Sequence, residues 1–265
     1  IVGGPHQYLV TSIALLVPAF NEANGMPRTA ATMREARDAG IVTTATVLDG
    51  GSTDDTSDIA RQHGVNTLFV PELFPELGPV LGKGDSLFRG VHSIDAEWYV
   101  FLDADLGNIT VDHIAALVTP LTQQGVKFVK GGFIRVDEHG VPREIPAGRV
   151  TELVGRPLLR RAAPQLTYLS QPLSGQVAIE GALARSLSFV TGYGIEIAML
   201  IDIFRAHGEK VIAEADMGAI NNRYKPDDAL EDVRDQVLAG AALRIVTMPD
   251  YGLVMHGQVT NRDPA

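Results

Sequence analysis

Short, unbroken apolar runs that each end on a polar turn recur through the first half of the chain, and they restrict the fold more than any other feature. Ile13-Ala14-Leu15-Leu16-Val17 stops at Pro18, and Thr43 to Leu48 stops at Asp49-Gly50-Gly51. Asn66 to Val70 repeats the pattern, and Tyr99-Val100-Phe101-Leu102 delivers Asp103-Ala104-Asp105. Between these runs lie helix-like stretches, Met26 to Ala39, Asp54 to His63 with Ser52 or Thr53 as its cap, Asp85 to Ser93 and Val111 to Gln123. A strand apolar on both sides must be covered on both faces. Alternation with helices therefore predicts an α/β fold: a mainly parallel, Rossmann-like sheet flanked by helices, with ligands gathering at the C-terminal strand ends.

The second half is less regular. Val126 to Val129 reads as a strand, Gly131 to Gly148 as a hairpin or loop, and Val150 to Arg161 as a helix. Gln171 to Glu180 reads as extended with a turn at Ser174-Gly175, Gly194 to His207 as a buried helix, Lys210 to Ala215 as a strand and Asp227 to Val246 as a closing helix. No repeat or low-complexity linker separates the halves. The expected organisation is one compact body with a donor-binding half over 1–135, an acceptor-binding half over 136–246 and an extended C-terminal arm over 247–265.

Composition narrows the chemistry. A formal net charge of −10 disfavours a nucleic-acid or anionic-membrane partner, which calls for a basic surface. The absence of cysteine excludes a disulfide framework, a thiolate metal site and a Cys nucleophile. No apolar run approaches the roughly 20 residues that span a bilayer, and Ile1-Val2-Gly3-Gly4 lacks a basic region leading into an apolar one, so a soluble cytoplasmic protein is expected.

Asp103 and Asp105, spaced i and i+2 at a strand end, can turn to one ligand while Ala104 faces away. Hard carboxylate oxygens of this kind suit Mg2+ or Mn2+ shared with substrate phosphates. Pro18-Ala19-Phe20-Asn21-Glu22 can grip a base edge or form a plain strand-to-helix turn. Asp49-Gly50-Gly51-Ser52-Thr53 permits close backbone approach to a ligand, and Lys83 in Gly82-Lys83-Gly84 is either a phosphate-binding charge or a solvated loop lysine. Four such motifs in order, each at or beyond a strand end, are poorly explained by chance.

With these motifs in place the chain resembles the nucleotide-sugar glycosyltransferases of the GT-A fold. Gly148-Arg149-Val150-Thr151-Glu152-Leu153-Val154, Arg156-Pro157-Leu158-Leu159, Gln171-Pro172-Leu173 and Gly192-Tyr193-Gly194-Ile195-Glu196-Ile197 narrow the resemblance to the glucosyl-3-phosphoglycerate and mannosyl-3-phosphoglycerate synthases, collinear from Ile13 to Ile245. The resemblance implies a retaining transfer of a hexose from a nucleoside diphosphate sugar, UDP-glucose first, to a small anionic hydroxylated acceptor like 3-phosphoglycerate, with Mg2+ or Mn2+ and a homodimer. It assigns the donor nucleotide to Pro18, Ala19, Phe20, Glu22, Asp49, Gly50, Ser52, Lys83, Asp103 and Ala104, and the donor sugar to Leu173 and Glu196. Gly148, Arg149, Val150, Thr151 and Tyr224 fall to the acceptor, Asp105 and Asn222 to the metal, and Asp105, Glu196 and Lys83 to catalysis.

The chain also departs from that family. The family's Arg-Glu-His-Arg-Asn-Arg-Pro is Ile220-Asn221-Asn222-Arg223-Tyr224-Lys225-Pro226 here, so the metal-binding His becomes Asn222, a sugar-binding Arg becomes Ile220 and the acceptor-side Asn becomes Tyr224. Gly-Gly-Glu after Gln-Pro-Leu is Ser174-Gly175-Gln176. These changes keep two alternatives open, another small acceptor such as a secondary-metabolite intermediate and a nucleotide-sugar-binding protein with reduced turnover; a third, a nucleotidyltransferase, also pairs a parallel sheet with a Lys and a metal carboxylate, but the Gly148–Thr151 string speaks against it.

Overall fold

A computed structural model describes residues 12–145, 148–222, 227–245 and 261–264. Elements run β1 (Ile13–Ala19), α1 (Met26–Asp38), β2 (Thr44–Asp49), α2 (Thr56–Gln62), β3 (Asn66–Phe69), α3 (Lys83–Ser93), β4 (Trp98–Phe101) and α4 (Val111–Val118). They continue as β5 (Phe128–Arg135), α5 (Arg156–Ala162), β6 (Val177–Glu180), α6 (Gly181–Ser186), β7 (Phe189–Val190), α7 (Ile195–His207), β8 (Ile212–Ile220), α8 (Asp227–Ile245) and β9 (Asn261–Arg262).

Seven strands form one sheet in the order β3-β2-β1-β4-β6-β5-β8. The pairs β1 with β2, β1 with β4, β2 with β3 and β5 with β8 are parallel, whereas β6 lies antiparallel between β4 and β5. Side chains alternate across the strands. Ala14, Leu16, Tyr99 and Phe101 enter the core on one face, and Leu15, Val17, Trp98 and Val100 the core on the other. Burial on both faces is why these runs carry no polar alternation.

Several boundaries differ from the sequence expectation. Asp55, and neither Ser52 nor Thr53, occupies the N-cap of α2. The helix expected over Val111 to Gln123 ends as α4 at Val118 and tightens into a 3₁₀ turn over Thr119–Thr122, where Pro120 supplies no amide hydrogen to continue the α ladder. β5 runs on through Gly131-Gly132 to Arg135, beyond the expected strand end at Val129 and into the stretch read as a hairpin or loop. A Cβ on Gly131 would meet Met217 Sδ at 2.4 Å and one on Gly132 would meet Ser170 Oγ at 2.5 Å, so these glycines mark close packing inside a strand. β8 likewise reaches Ile220, and of Gln171 to Glu180 only Val177–Glu180 is strand. α6 and β7 were not expected at all. Of the C-terminal arm, 247–260 lies outside the described residues, while β9 pairs antiparallel with β7. Among the described residues no helix is long and apolar enough to cross a membrane.

Candidate active site

The C-terminal ends of β1, β2 and β4 open on a cleft of about 1410 Å³. At the end of β1, Asn21 adopts φ 54°, a left-handed conformation that Asn tolerates better than most residues. Its amide donates to Ser52 Oγ at 3.0 Å and its Oδ1 accepts from the Thr53 amide at 2.8 Å. The Glu22 amide donates to Thr56 Oγ1 at 2.8 Å. This crosslinked corner holds Pro18, Ala19, Phe20 and Glu22 along the cleft, with the Phe20 ring 61% exposed at its mouth.

Lys83 opens α3 and points into the cleft between two carboxylates, 2.5 Å from Asp103 Oδ1 and 2.5 Å from Glu196 Oε1. Burial acts against the ammonium, but Asp103 and Glu196 outweigh it and raise Lys83 above the ordinary lysine value. Asp103 Oδ2 accepts from Gln176 Nε2 at 2.9 Å. Gly175 lies against this group: a Cβ there would fall 2.2 Å from Lys83 Nζ and would displace the ion pair. Beneath it, fully buried Lys130 donates to the Ser174 carbonyl at 2.6 Å. Burial lowers its pKa to about 8, opposed by the nearby Glu196. Lys130 thereby fixes the backbone next to Leu173, which also packs on Gly155.

Asp105 and Asn222 face the same cleft. Backbone pairing of Leu106 with Asn222 sets the Asp105 turn beside Asn222, whose Oδ1 is buried without a partner among the described residues. Among the described residues no three His, Cys, Asp or Glu gather as a cation site. A carboxylate, an orphaned amide oxygen and two substrate phosphates nevertheless make an all-oxygen donor set that fits Mg2+ or Mn2+.

The Gly148–Thr151 string begins where φ is +89° and a side chain on Gly148 would press on Arg135 Nε at 3.1 Å. Residues 149 and 150 open a helix that widens into a π turn over Thr151–Gly155 before α5. Such turns interrupt regular helices where a backbone must be re-aimed, often at functional sites. Arg156 pins this helix to the neighbouring loop through the Thr167, Leu169 and Ser170 carbonyls. Gly148, Arg149, Val150, Thr151, Leu173 and Glu196 all line the cleft.

Gly50 and Ala104 line the cleft too, whereas Asp49 and Ser52 do not. Asp49 is 3% exposed and accepts from the Gly51 and Ser52 amides and the Ser57 hydroxyl. Burial opposes its charge, yet these donors outweigh it and hold the carboxyl below its ordinary value. Both residues therefore shape the loop behind the cleft. Tyr224 lies outside the described residues. Sequence reasoning missed Lys130, Arg135 and Arg143. Arg135 ends a strand whose length its glycines concealed, and Lys130 gives no signal beyond a lysine in an apolar run.

The chain matches the model of glycosyl transferase family 2 over residues 14–167. It is 36% identical over 247 residues to the glucosyl-3-phosphoglycerate synthase of Mycobacterium tuberculosis, covering 91% of this chain and 76% of that protein. A second relative, the glucosyl-3-phosphoglycerate synthase of Mycolicibacterium smegmatis, is 34% identical over 86% of this chain and 76% of its own length. The solved structure of the M. tuberculosis enzyme with Mn2+, UDP-glucose and phosphoglyceric acid is similar at a TM-score of 0.83 and 34% identity, covering 96% of this chain and 89% of that one. The chain is a nucleotide-sugar-dependent glycosyltransferase of the GT-A fold that carries a glycosyl transferase family 2 domain and belongs to the glucosyl-3-phosphoglycerate synthase family.

Proposed function

We propose that this chain transfers glucose from UDP-glucose to the free hydroxyl of 3-phosphoglycerate with retention of anomeric configuration. The observation that carries this reading is that the Pro18–Glu22 corner, the Lys83 charge group and the Gly148–Thr151 string share one cleft. In this reading Phe20 stacks on the base, Glu22 and Gly50 hold the nucleoside, and Asp49 and Ser52 set the loop that presents them. Asp105 and Asn222 hold a divalent cation, which when bound neutralises charge on the diphosphate. Lys83 supplies a fixed positive charge toward the same leaving group. Glu196, held by Lys83, accepts hydrogen bonds from sugar hydroxyls, and Leu173 packs beside the ring. The amides at Gly148 to Thr151, the Arg149 guanidinium and the Thr151 hydroxyl bind the acceptor phosphate. Retention then follows without a covalent glycosyl-enzyme: the leaving phosphate oxygen takes the proton of the acceptor hydroxyl as it attacks on the same face.

The same proposal divides the molecule into a donor half over 1–135 and an acceptor half over 136–246, and includes a homodimer and a cytoplasmic location, where sugar nucleotides and phosphorylated three-carbon acids are made. Family resemblance supports the dimer, and sedimentation tests it.

The test is turnover of UDP-glucose with 3-phosphoglycerate in Mg2+ or Mn2+, with the product anomer read by NMR. An α-linked glucosyl product is expected; absence of product with any sugar nucleotide and any acceptor would remove the transferase reading. A second reading, another small acceptor, is motivated by the departures from the family string at Ile220, Asn222 and Tyr224 taken together. An acceptor panel in which another acid outcompetes 3-phosphoglycerate would select it.

A further inference from the structure

Besides Arg149, two arginines on the cleft wall have no role in the reaction as described above. Arg135 closes β5 and Arg143 lies on the following loop, folded back by pairing of Val136 with Pro142. Both are held from behind. The Arg143 amide donates to the Arg135 carbonyl at 2.9 Å, its Nε to the Val136 carbonyl at 3.2 Å and its Nη2 to the Asn222 carbonyl at 3.0 Å. Arg135 lies over the Phe133 ring, its CZ 5.7 Å from the centroid, and its Nε is buried with no partner among the described residues. A buried guanidinium donor left unpaired is costly, and an anionic oxygen in the cleft would satisfy it. Burial and the neighbouring Arg143 charge lower the Arg135 pKa against the Asp103 and Asp105 charges, and its Nε lies beside Gly148, where a Cβ would come within 3.1 Å.

We propose that Arg135 and Arg143 form a second anion-binding position, distinct from the Gly148–Thr151 string, that takes a carboxylate of the acceptor. The acceptor is then a short acid with anionic groups at both ends, its phosphate on the Gly148–Thr151 string, its carboxylate on the arginine pair and its hydroxyl between them. Through the Asn222 carbonyl, Arg143 also ties this position to the metal corner, so filling it orders both sides of the reacting centre. An amide or Lys at either place would lose the planar fork that matches a carboxylate. The inference rests on the phosphorylated acceptor proposed above.

The experiment compares 3-phosphoglycerate with glycerol 3-phosphate, which carries a neutral hydroxymethyl group in place of the carboxylate, by calorimetric binding to the full chain loaded with UDP and Mg2+. The unaltered protein is expected to prefer 3-phosphoglycerate by about tenfold or more, and Arg135→Met to bring the ratio close to one. Arg143→Met should reduce the ratio in the same direction, which keeps the test open if one variant fails to fold. A ratio unchanged in both variants, or equal binding of the two compounds by the unaltered protein, overturns the proposal alone. Failure of the unaltered protein to bind either compound overturns the acceptor reading and this proposal with it.

Discussion

Lys83 and Lys130 show how two lysines in one core carry opposite electrostatics. Lys83 sits between two carboxylates; among the described residues Lys130 has only a carbonyl as hydrogen-bond partner. Removing the Lys83 charge leaves Asp103 and Glu196 facing each other in a largely buried place. Lys83→Met should therefore abolish transfer and cost about 3 kcal/mol of stability. Adding Glu196→Gln should recover part of that loss, because one of the two stranded charges goes with it; chemical denaturation of the double variant decides, and simple addition of the two losses would mean the pair is not coupled. Lys130 predicts a pH effect. Its folded pKa, about 8, lies below the roughly 10.4 of an unfolded lysine, so between these values the unfolded chain holds more protons and stability rises with pH. Lys130→Met should remove that rise of up to about 3 kcal/mol between pH 8 and 10, seen as parallel rather than diverging denaturation midpoints. At this scale the site was legible where function puts short polar strings at strand ends, as at Pro18–Glu22, Gly82–Gly84 and Asp103–Asp105. Arg135 and Lys130 were not legible, because a charged residue inside an apolar run is identified only by what folds against it.

At the scale of elements, α3 connects the cleft to the far end of the chain. Asp85, fully buried in its first turn, receives the Leu81 amide, the Arg89 guanidinium and the Arg262 guanidinium of β9, the last through Nε at 2.8 Å and Nη2 at 3.2 Å. Arg89 in turn donates to the Leu73, Gly78 and Pro79 carbonyls. The segment so fixed includes Val80, Leu81 and Gly82 on the cleft wall. Gly84 packs on the Val190 carbonyl of β7, where a Cβ would come within 1.9 Å, so β9, β7 and α3 form one support for Lys83. Arg262→Ala should cost about 3 kcal/mol, since Asp85 keeps only one of its two cations. Amide exchange over 78–82 should speed up with it; unchanged exchange there would mean the contact supports β9 alone. The strand and helix alternation of the first half was readable because each element hides its own face. β6 was readable as the end of the extended Gln171–Glu180 segment but its antiparallel place between β4 and β5 was not, because that depends on a pairing far along the chain, and β9 gives no local pattern at two residues.

For the whole molecule the sheet decides what binding must do. The Pro18–Glu22 corner, Gly50 and Asp103–Asp105 follow β1, β2 and β4, Arg135 and the Gly148–Thr151 string lie on β5 and the chain after it, and β4, β6 and β5 are hydrogen-bonded neighbours in one sheet. A ligand that spans the cleft binds only the folded arrangement of both halves and must raise the stability of the chain as a unit. UDP at about a hundred times its dissociation constant adds about 2.7 kcal/mol by mass action. For a chain of this size that is a rise in Tm of roughly 5 to 10 °C. The acidic corner makes the rise depend on a cation, because Asp105 would otherwise face the diphosphate as a like charge. With Mg2+ or Mn2+ the full shift is expected, and without either a clearly smaller one. Asp105→Ala separates the two contributions: the base corner at Phe20 and Glu22 is untouched, so a residual shift remains, while its cation dependence disappears. Asn222→Asp should instead strengthen the cation dependence by adding a formal charge to the same donor set. A differential scanning panel of these variants with UDP and each cation reads both effects, and a shift that stays cation-dependent in Asp105→Ala would move the metal away from this corner.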